Sequence, residues 1–194
     1  MSEHTHTPAS TRTKRLRPRL IVYTGDGKGK STAAFGMGLR AWAQGWSVGV
    51  YQFVKSGKWA TGEKLAYREL SESLNGGTIS WQNLGEGFTW LRATEDVDQQ
   101  ALAEAGWGQV KEALAEQRHD MYILDEFNHV LANGWLDLDE VIETLSGRPG
   151  RQHVVITGRN APEKLIDAAD LVTSMEKVKH PFDKGERGQA GVEW

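Results

Sequence analysis

The chain has 194 residues, a formal net charge of -3 and no cysteine. This length suits one domain with a substantial core, and the small negative charge gives no reason to expect a nucleic acid or an anionic membrane as a partner. The absence of thiols excludes disulfides, thiolate metal sites and cysteine nucleophiles, and it is compatible with a reducing cytosol.

Residues 1–18 form a polar N-terminal segment that ends in a basic run at 12–17. The segment lacks the apolar core of a secretory signal, and no stretch of the chain approaches the ~20 apolar residues of a membrane span. We therefore expect a cytoplasmic protein with no membrane partner. Three interpretations of the basic run remain open: a flexible arm that precedes a single domain over 19–194, an arm that folds over an anionic ligand near the first strand, and a nucleic-acid tail, for which one short run is weak evidence.

A glycine-rich turn at residues 25–31 (GDGKGKS) is the strongest signal in the sequence. An apolar strand predicted over 19–24 leads into it, and a helix predicted over 30–44 follows. Together they form a P-loop, in which backbone N–H groups and a helix N-terminus bind phosphate. A glycine-rich turn without a nucleotide is the alternative, and Thr24 stands where the generic motif has its first glycine. The predicted nucleotide-binding residues of this segment are Gly25, Asp26, Gly27, Lys28, Gly29, Lys30, Ser31 and Thr32.

The helix that follows the turn is predicted to bury one face, on which Phe35, Leu39 and Trp42 recur at i, i+4 and i+7. The apolar run at 47–54 predicts a strand buried on both faces, which completes a right-handed βαβ unit. The polar loop after it lies at the carboxyl end of this strand, where open parallel sheets bind ligands. Lys55 is therefore a candidate ligand contact, and a solvated loop lysine is the alternative.

A helix over 63–74 and a short strand over 78–81 are predicted next. An irregular segment at 84–90 follows, in which Phe88 and Trp90 lie close to two glycines. Loops that expose aromatic side chains beside glycines often contact ligands. A ligand-binding loop and a packing turn are both compatible with this composition.

A second strong signal is the apolar strand predicted over 119–126, which follows a helix over 95–118 and ends in Asp125 and Glu126. An apolar strand that ends in an acidic pair downstream of a P-loop is the Walker B pattern. Asp125 would hold Mg²⁺ directly or through water, together with the hydroxyl of Ser31, and Glu126 would reach metal, nucleotide or water. A charged strand end that faces solvent is the alternative.

The rest of the chain continues the alternation of strand and helix. The predicted elements are helices over 127–133 and 138–145, a buried strand over 152–157, a helix that opens at Pro162 and a last strand over 171–175. This alternation predicts an α/β fold of the P-loop NTPase-like (RecA-like) class, with a mostly parallel sheet and helices on both faces.

Seven segments along the chain match, in order, the signatures of one known family. They are 24–31 (TGDGKGKS), 52–55 (QFVK), 61–63 (TGE), 85–90 (GEGFTW), 124–128 (LDEFN), 157–162 (TGRNAP) and 178–183 (VKHPFD). The chain thereby resembles the ATP:corrinoid adenosyltransferases of the P-loop type, from about residue 20 to the C-terminus. The P-loop combined with the aromatic segment is the specific part of the match. Asp26 stands where asparagine is common, and Ser31 stands where threonine is common and keeps its hydroxyl.

The resemblance implies transfer of the 5′-deoxyadenosyl group of ATP to the Co(I) centre of a cobalamin- or cobinamide-type corrinoid, with release of triphosphate, in adenosylcobalamin biosynthesis or salvage. Co(I) is itself the nucleophile, so the protein has to position the substrates and stabilise the leaving triphosphate. Lys28 and Lys30 would neutralise the developing charge. Lys55 and Arg159 complete the predicted nucleotide-binding set. The family binds its nucleotide reversed in the loop, so that the 5′ carbon faces the corrinoid.

The resemblance also gives Phe88 and Trp90 a role. Such aromatics fill the space below the corrin ring and exclude the lower axial ligand of Co(II). Loss of an axial donor raises the reduction potential, so that an electron-donating reductase can form Co(I). A homodimer is implied in the same way.

Two other classes share the P-loop. One is an ATPase or kinase, in which Glu126 would polarise water or an acceptor for attack on the γ-phosphate. The other is a nucleotide-gated binding module without chemistry. Neither requires the aromatic segment at 85–90, and the phosphate product separates the classes, since adenosyl transfer releases triphosphate and hydrolysis releases ADP and phosphate.

Overall fold

The computed structural model describes residues 17–54, 61–73, 75–85 and 98–193 of the chain. Its strands are β1 (Leu20–Thr24), β2 (Val48–Gln52), β3 (Ile79–Asn83), β4 (Met121–Asp125), β5 (His153–Thr157) and β6 (Leu171–Ser174). They form one six-stranded sheet in the order β3-β2-β4-β5-β1-β6, and every neighbouring pair is parallel. The carboxyl ends of the strands therefore meet at one edge of the sheet.

Helices connect the strands. They are α1 (Lys30–Ala43), α2 (Gly62–Ser71), α3 (Gln99–Ala115), α4 (Phe127–Ala132), α5 (Leu138–Gly147) and α6 (Glu163–Ala168), with a 3-10 turn at Pro181–Lys184. The predicted elements are present in the described ranges, with ends shifted by a few residues. None of the helices in these ranges has the length and apolar composition needed to cross a membrane.

The strands near the centre of the sheet are buried on both faces. Every residue of β1, β2 and β4 is buried, whereas the four residues of the edge strand β6 are exposed. The buried strands are nearly continuous runs of branched and aromatic residues, as expected where helices cover both faces of a parallel sheet. The predicted α/β fold of the P-loop NTPase-like class is confirmed.

Strand β4 shows how the core divides into two layers. Tyr122 and Leu124 point into a cluster with Trp107 of α3, and Ile123 points the other way, into a cluster with Phe35 of α1. Successive side chains of a strand point to opposite faces, so one strand contributes to both clusters. Helices therefore cover both faces of the sheet, as predicted.

The buried face of α1 differs in part from the prediction. Phe35 is buried and Trp42 is partly buried, as predicted, but Leu39 is 46% exposed. Ala34, Gly38 and Ala41 are buried as well. A side chain at Gly38 would come within 2.8 Å of a methyl group of Ile123. Small residues at i, i+4 and i+7 thus let the helix approach the sheet closely, and Leu39, one position further round the helix, is turned outward.

Candidate active site

The P-loop connects β1 to α1 through glycines with positive φ. Gly25 has a φ of 91° and Gly29, the N-cap of α1, has a φ of 105°. Residues with a Cβ rarely adopt this conformation, whereas glycine adopts it without steric cost. These glycines let the loop turn tightly into the N-terminus of α1, where unpaired N–H groups and the helix dipole favour an anion.

The chain that follows β6 packs directly against the P-loop. The Gly27 N–H donates to the Met175 carbonyl at 2.7 Å, and the Met175 N–H donates to the Thr24 carbonyl at 2.8 Å. A Cβ on Gly27 would lie 2.6 Å from the carbonyl oxygen of Glu176. Glycine at this position is therefore required by the close approach of two backbones, and the loop is held in its shape from outside.

Lys30 is buried and folded back onto its own loop. Its Nζ donates to the Gly25 carbonyl at 2.7 Å and to the Gly27 carbonyl at 2.6 Å. Burial lowers the pKa of Lys30, and the positive charge of Arg159 lowers it further, whereas Glu126 opposes the shift. The ammonium group is thus one of several charges that converge on the loop.

A cavity of about 630 Å³ opens above the loop and the start of α1. The predicted site residues in its wall are Gly27, Lys28, Gly29, Lys30, Ser31, Thr32, Glu126 and Arg159. The remaining lining residues were not among the predicted site residues, and they include Thr61, Gly62, Glu63 and His129. Gly62 and Glu63 begin α2, and Thr61 is its N-cap, whose hydroxyl accepts from the Lys64 N–H. The N-termini of two helices therefore contribute to one cavity.

Gly25 and Asp26 do not line this cavity. They line a neighbouring cavity of about 500 Å³ on the side of Met175. Arg159 is the predicted site residue that borders both cavities. The structure thus places the predicted contacts Gly25 and Asp26 in the wall of the smaller of these two cavities.

Asp125 is fully buried and held by two side chains from neighbouring strands. Gln52 donates to its Oδ2 at 2.9 Å, and the Thr157 hydroxyl donates to its Oδ1 at 2.8 Å. The Thr157 hydroxyl in turn accepts from the Glu126 N–H at 3.0 Å. Gln52 and Thr157 were not predicted site residues; each is a polar residue at the carboxyl end of an apolar strand.

Glu126 adopts a left-handed conformation, with φ of 60° and ψ of 20°. It forms the sharp turn between β4 and α4 and lines the larger cavity. A residue with a side chain in this region costs about 1–2 kcal/mol, and such strain concentrates at functional sites. The backbone here directs a carboxylate to the cavity at an energetic cost.

The oxygen donors near the loop suit a hard cation. Among the described residues, no group of three or more His, Asp or Glu side chains could hold a metal ion by itself. Ser31, Asp125 and Glu126 carry hydroxyl and carboxylate oxygens, the ligand types that Mg²⁺ prefers, and their chemistry fits a magnesium site to which a bound phosphate also contributes ligands.

The C-terminal segment also reaches this cavity. Gly191, Val192 and Glu193 line its wall, and the Glu193 carboxylate forms an ion pair with Lys28. No feature of the sequence near residue 193 indicated this contact, since it joins positions 165 residues apart.

Three predicted site residues lie outside the described residues. They are Lys55, Phe88 and Trp90. Their proposed contacts with substrates remain predictions.

Comparisons with known proteins all point to one family. Residues 17–194 match the family model described as ATP:corrinoid adenosyltransferase BtuR/CobO/CobP. A protein of Pseudomonas aeruginosa named corrinoid adenosyltransferase is 45% identical over 176 residues, which cover 90% of this chain and 83% of the relative. A protein of Sinorhizobium sp with the same name is 48% identical over 176 residues, covering 90% and 79%. One of Escherichia coli K12, also of that name, is 41% identical over 175 residues, covering 90% and 85%.

Proposed function

The chain belongs to the ATP:corrinoid adenosyltransferase family, and we propose that the cavity above its P-loop is where ATP loses its adenosyl group to a corrinoid. The enzyme is an adenosyltransferase of the cobalamin pathway. The observation that supports this use of the cavity is that three cationic side chains, Lys28, Lys30 and Arg159, line it beside the N-terminus of α1. The wall also carries the carboxylates of Glu63, Glu126 and Glu193. The three cations and the helix N-terminus suit a triphosphate that gains charge as it leaves.

The proposed step needs no proton transfer from the protein. The electron pair of Co(I) attacks the 5′ carbon of ATP and forms the cobalt–carbon bond. The bond between the 5′ carbon and its oxygen breaks, and that oxygen leaves with the triphosphate and the bonding pair. Cobalt is formally oxidised to Co(III), and the triphosphate takes up one more negative charge.

The protein contributes positioning and charge. Lys30 exchanges its two loop carbonyls for phosphate oxygens, and Lys28 exchanges Glu193 for the same ligand. Glycines hold the loop amides in place before substrate arrives, so little reorganisation is needed when charge develops. A bound Mg²⁺, held by Ser31 with Asp125 and Glu126, would neutralise part of the triphosphate charge.

The corrinoid side of the reaction lies with residues that the structure does not describe. We propose that Phe88 and Trp90 exclude the lower axial ligand of Co(II), and that Lys55 contacts a substrate. An electron-donating reductase would supply the electron that converts Co(II) to Co(I). A homodimer and a cytoplasmic location complete the proposal, the location because ATP and reducing power are both available in the cytoplasm.

Product analysis tests the proposed function. The protein is incubated with Mg-ATP and chemically reduced cobalamin, and we expect a light-sensitive alkylcobalamin together with an equal amount of triphosphate. ADP and phosphate without an alkylcobalamin would instead indicate an ATPase or kinase. Omission of the corrinoid is the control, and it should abolish triphosphate formation.

A further inference from the structure

Arg159 lies on a short loop between β5 and α6 that has two residues with positive φ. Gly158 has a φ of 131° and Asn160 a φ of 56°. The Arg159 side chain borders both cavities beside the P-loop. A loop of this shape positions its central side chain reproducibly only if its backbone is held on each side.

Asn128 holds the loop on the N-terminal side of Arg159. This asparagine is fully buried, and its Nδ2 donates to the Gly158 carbonyl at 2.8 Å and to the Tyr23 carbonyl at 3.4 Å. A Cβ on Gly158 would lie 2.9 Å from the Cβ of Asn128, so the two residues are in close contact. One amide group therefore joins the end of β1 to the residue before Arg159.

Thr24 holds the loop on the C-terminal side. It is 7% exposed, and its hydroxyl oxygen accepts from the Ala161 N–H at 3.2 Å. Thr24 is the residue that replaces the first glycine of the generic P-loop motif, and glycine has no side chain to make this bond. The residue that departs from the motif thus makes a contact between the P-loop and the loop at 158–161 that carries Arg159 (the arginine loop).

We propose that Thr24 and Asn128 are positioning residues for adenosyl transfer, which fix Arg159 relative to the P-loop so that its guanidinium meets the triphosphate. Thr24 is the last residue of β1, and Asn128, at the start of α4, bonds the Tyr23 carbonyl of the same strand. Both anchors therefore join the loop to the strand end directly before the phosphate-binding turn. The loop and the turn therefore move as one unit, and the cation is in place before ATP binds. The inference rests on the proposed function, in which this cavity receives the triphosphate.

A double-mutant cycle with Arg159 tests the proposal. Thr24→Val keeps the shape of the side chain and removes the acceptor, and Thr24→Ser keeps the acceptor. We expect Thr24→Val to weaken Mg-ATP binding and to slow adenosyl transfer by about 3- to 10-fold, the effect of one neutral hydrogen bond. Thr24→Ser should restore most of the loss. In an Arg159→Ala background, Thr24→Val should have less than about a twofold further effect, because residues that act as a unit are not additive.

Three results would overturn the proposal: parental behaviour of Thr24→Val, parental behaviour of Arg159→Ala, or equal losses from Thr24→Val with and without Arg159. The last result is what a merely structural role predicts. Thr144→Val, which removes a hydroxyl bonded to Glu140 on α5, is the matched control and should behave as the parent. Asn128→Ala provides a second cycle with the same expectation, and urea unfolding confirms that each variant is folded.

The double-mutant cycle is measured twice, once with the dissociation constant of Mg-ATP and once with the rate of adenosyl transfer. The binding measurement needs no corrinoid. A parent that binds ATP but forms no alkylcobalamin would contradict the proposed function, and the binding cycle would still decide whether Thr24 acts through Arg159.

Discussion

Lys30 is held at the P-loop by hydrogen bonds to two carbonyl groups. Its bonds to Gly25 and Gly27 keep the ammonium group beside the place where phosphates would bind. Carbonyls are weaker partners for an ammonium group than charged phosphate oxygens, because charge-assisted bonds are about twice as strong. We therefore expect the Lys30 ammonium group to leave these carbonyls and bind the phosphate oxygens of an incoming triphosphate.

Replacement of Lys30 tests this role. We expect Lys30→Ala to reduce adenosyl transfer by about 100-fold or more, the usual loss when a donor to developing charge is removed. Lys164→Ala is the matched control, since Lys164 pairs with Asp139 on the surface, and it should retain parental rates. Rates of alkylcobalamin formation measure both variants. Parental activity in Lys30→Ala would show that ATP does not meet this lysine.

Glu126 offers a separate test, because its backbone strain and its carboxylate can be removed together. Glu126→Gly should relieve about 1 kcal/mol of backbone strain, since glycine adopts a left-handed conformation freely. Adenosyl transfer should fall by at least about tenfold, through loss of charge near the metal and triphosphate. Urea unfolding and transfer rates are the measurements.

Gln117 is the matched control for the effects of Glu126→Gly on stability and on activity. It also has a left-handed backbone, with φ of 54°, but it lies at the end of α3 and does not line the larger cavity. Gln117→Gly should change stability in the same direction and leave activity intact. If Glu126→Gly kept full activity as well, the strain at Glu126 would have no catalytic purpose.

At the level of elements, the sequence predicts what depends on local pattern. The apolar runs predict the strands, the glycine turn predicts the P-loop, and Asp125 and Glu126 indicate the end of β4. Contacts between distant segments were not predictable in this way. Gln52 and Thr157 meet at Asp125 only because β2 and β5 flank β4 in the sheet, and that strand order is a property of the fold.

Helix α1 shows the same limit in a single element. The i, i+4, i+7 period was right and Phe35 is buried, but Ala34, Gly38 and Ala41 are buried as well, whereas Leu39 is exposed. Hydrophobicity favours burial of leucine, whereas the close approach of helix and sheet favours small residues, and here close packing decides.

Two glycines of α1 test this packing argument. Gly38→Ala should lower the free energy of unfolding by about 1–3 kcal/mol, because the added methyl would collide with Ile123 and Tyr67. Gly36→Ala, in the same helix with nothing within 4 Å, should raise it by about 0.5–1 kcal/mol. Urea unfolding measures both. Equal effects of the two substitutions would contradict the packing that the structure shows at Gly38.

At the level of the whole molecule, the chain brings distant segments to the carboxyl edge of one sheet. The P-loop, the turn after β4, the arginine loop, the start of α2 and the C-terminal segment all contribute to the larger cavity. The C-terminal segment adds a negative charge there, through the ion pair of Glu193 with Lys28. An incoming triphosphate has to compete with this carboxylate.

Removal of the Glu193 charge, which competes with triphosphate for Lys28, should strengthen ATP binding. We expect Glu193→Gln to lower the dissociation constant of Mg-ATP by up to about fivefold at low salt, the range of a partly exposed ion pair, and less at high salt. Titration of the protein with Mg-ATP measures the change, and Glu186→Gln, which lies outside the cavity wall, is the control. Weaker binding in Glu193→Gln would mean that Glu193 supports the nucleotide.

The central claim is that the P-loop holds the triphosphate as a leaving group and that the 5′ carbon of ATP is the reacting atom. It is tested most directly with ATP that carries oxygen-18 between the 5′ carbon and the α-phosphorus, incubated with the enzyme and reduced cobalamin. Mass spectrometry then locates the label. The account predicts that the oxygen-18 leaves in triphosphate and that the alkylcobalamin carries none of it. Oxygen-18 recovered in ADP, with unlabelled phosphate and no alkylcobalamin, would contradict it.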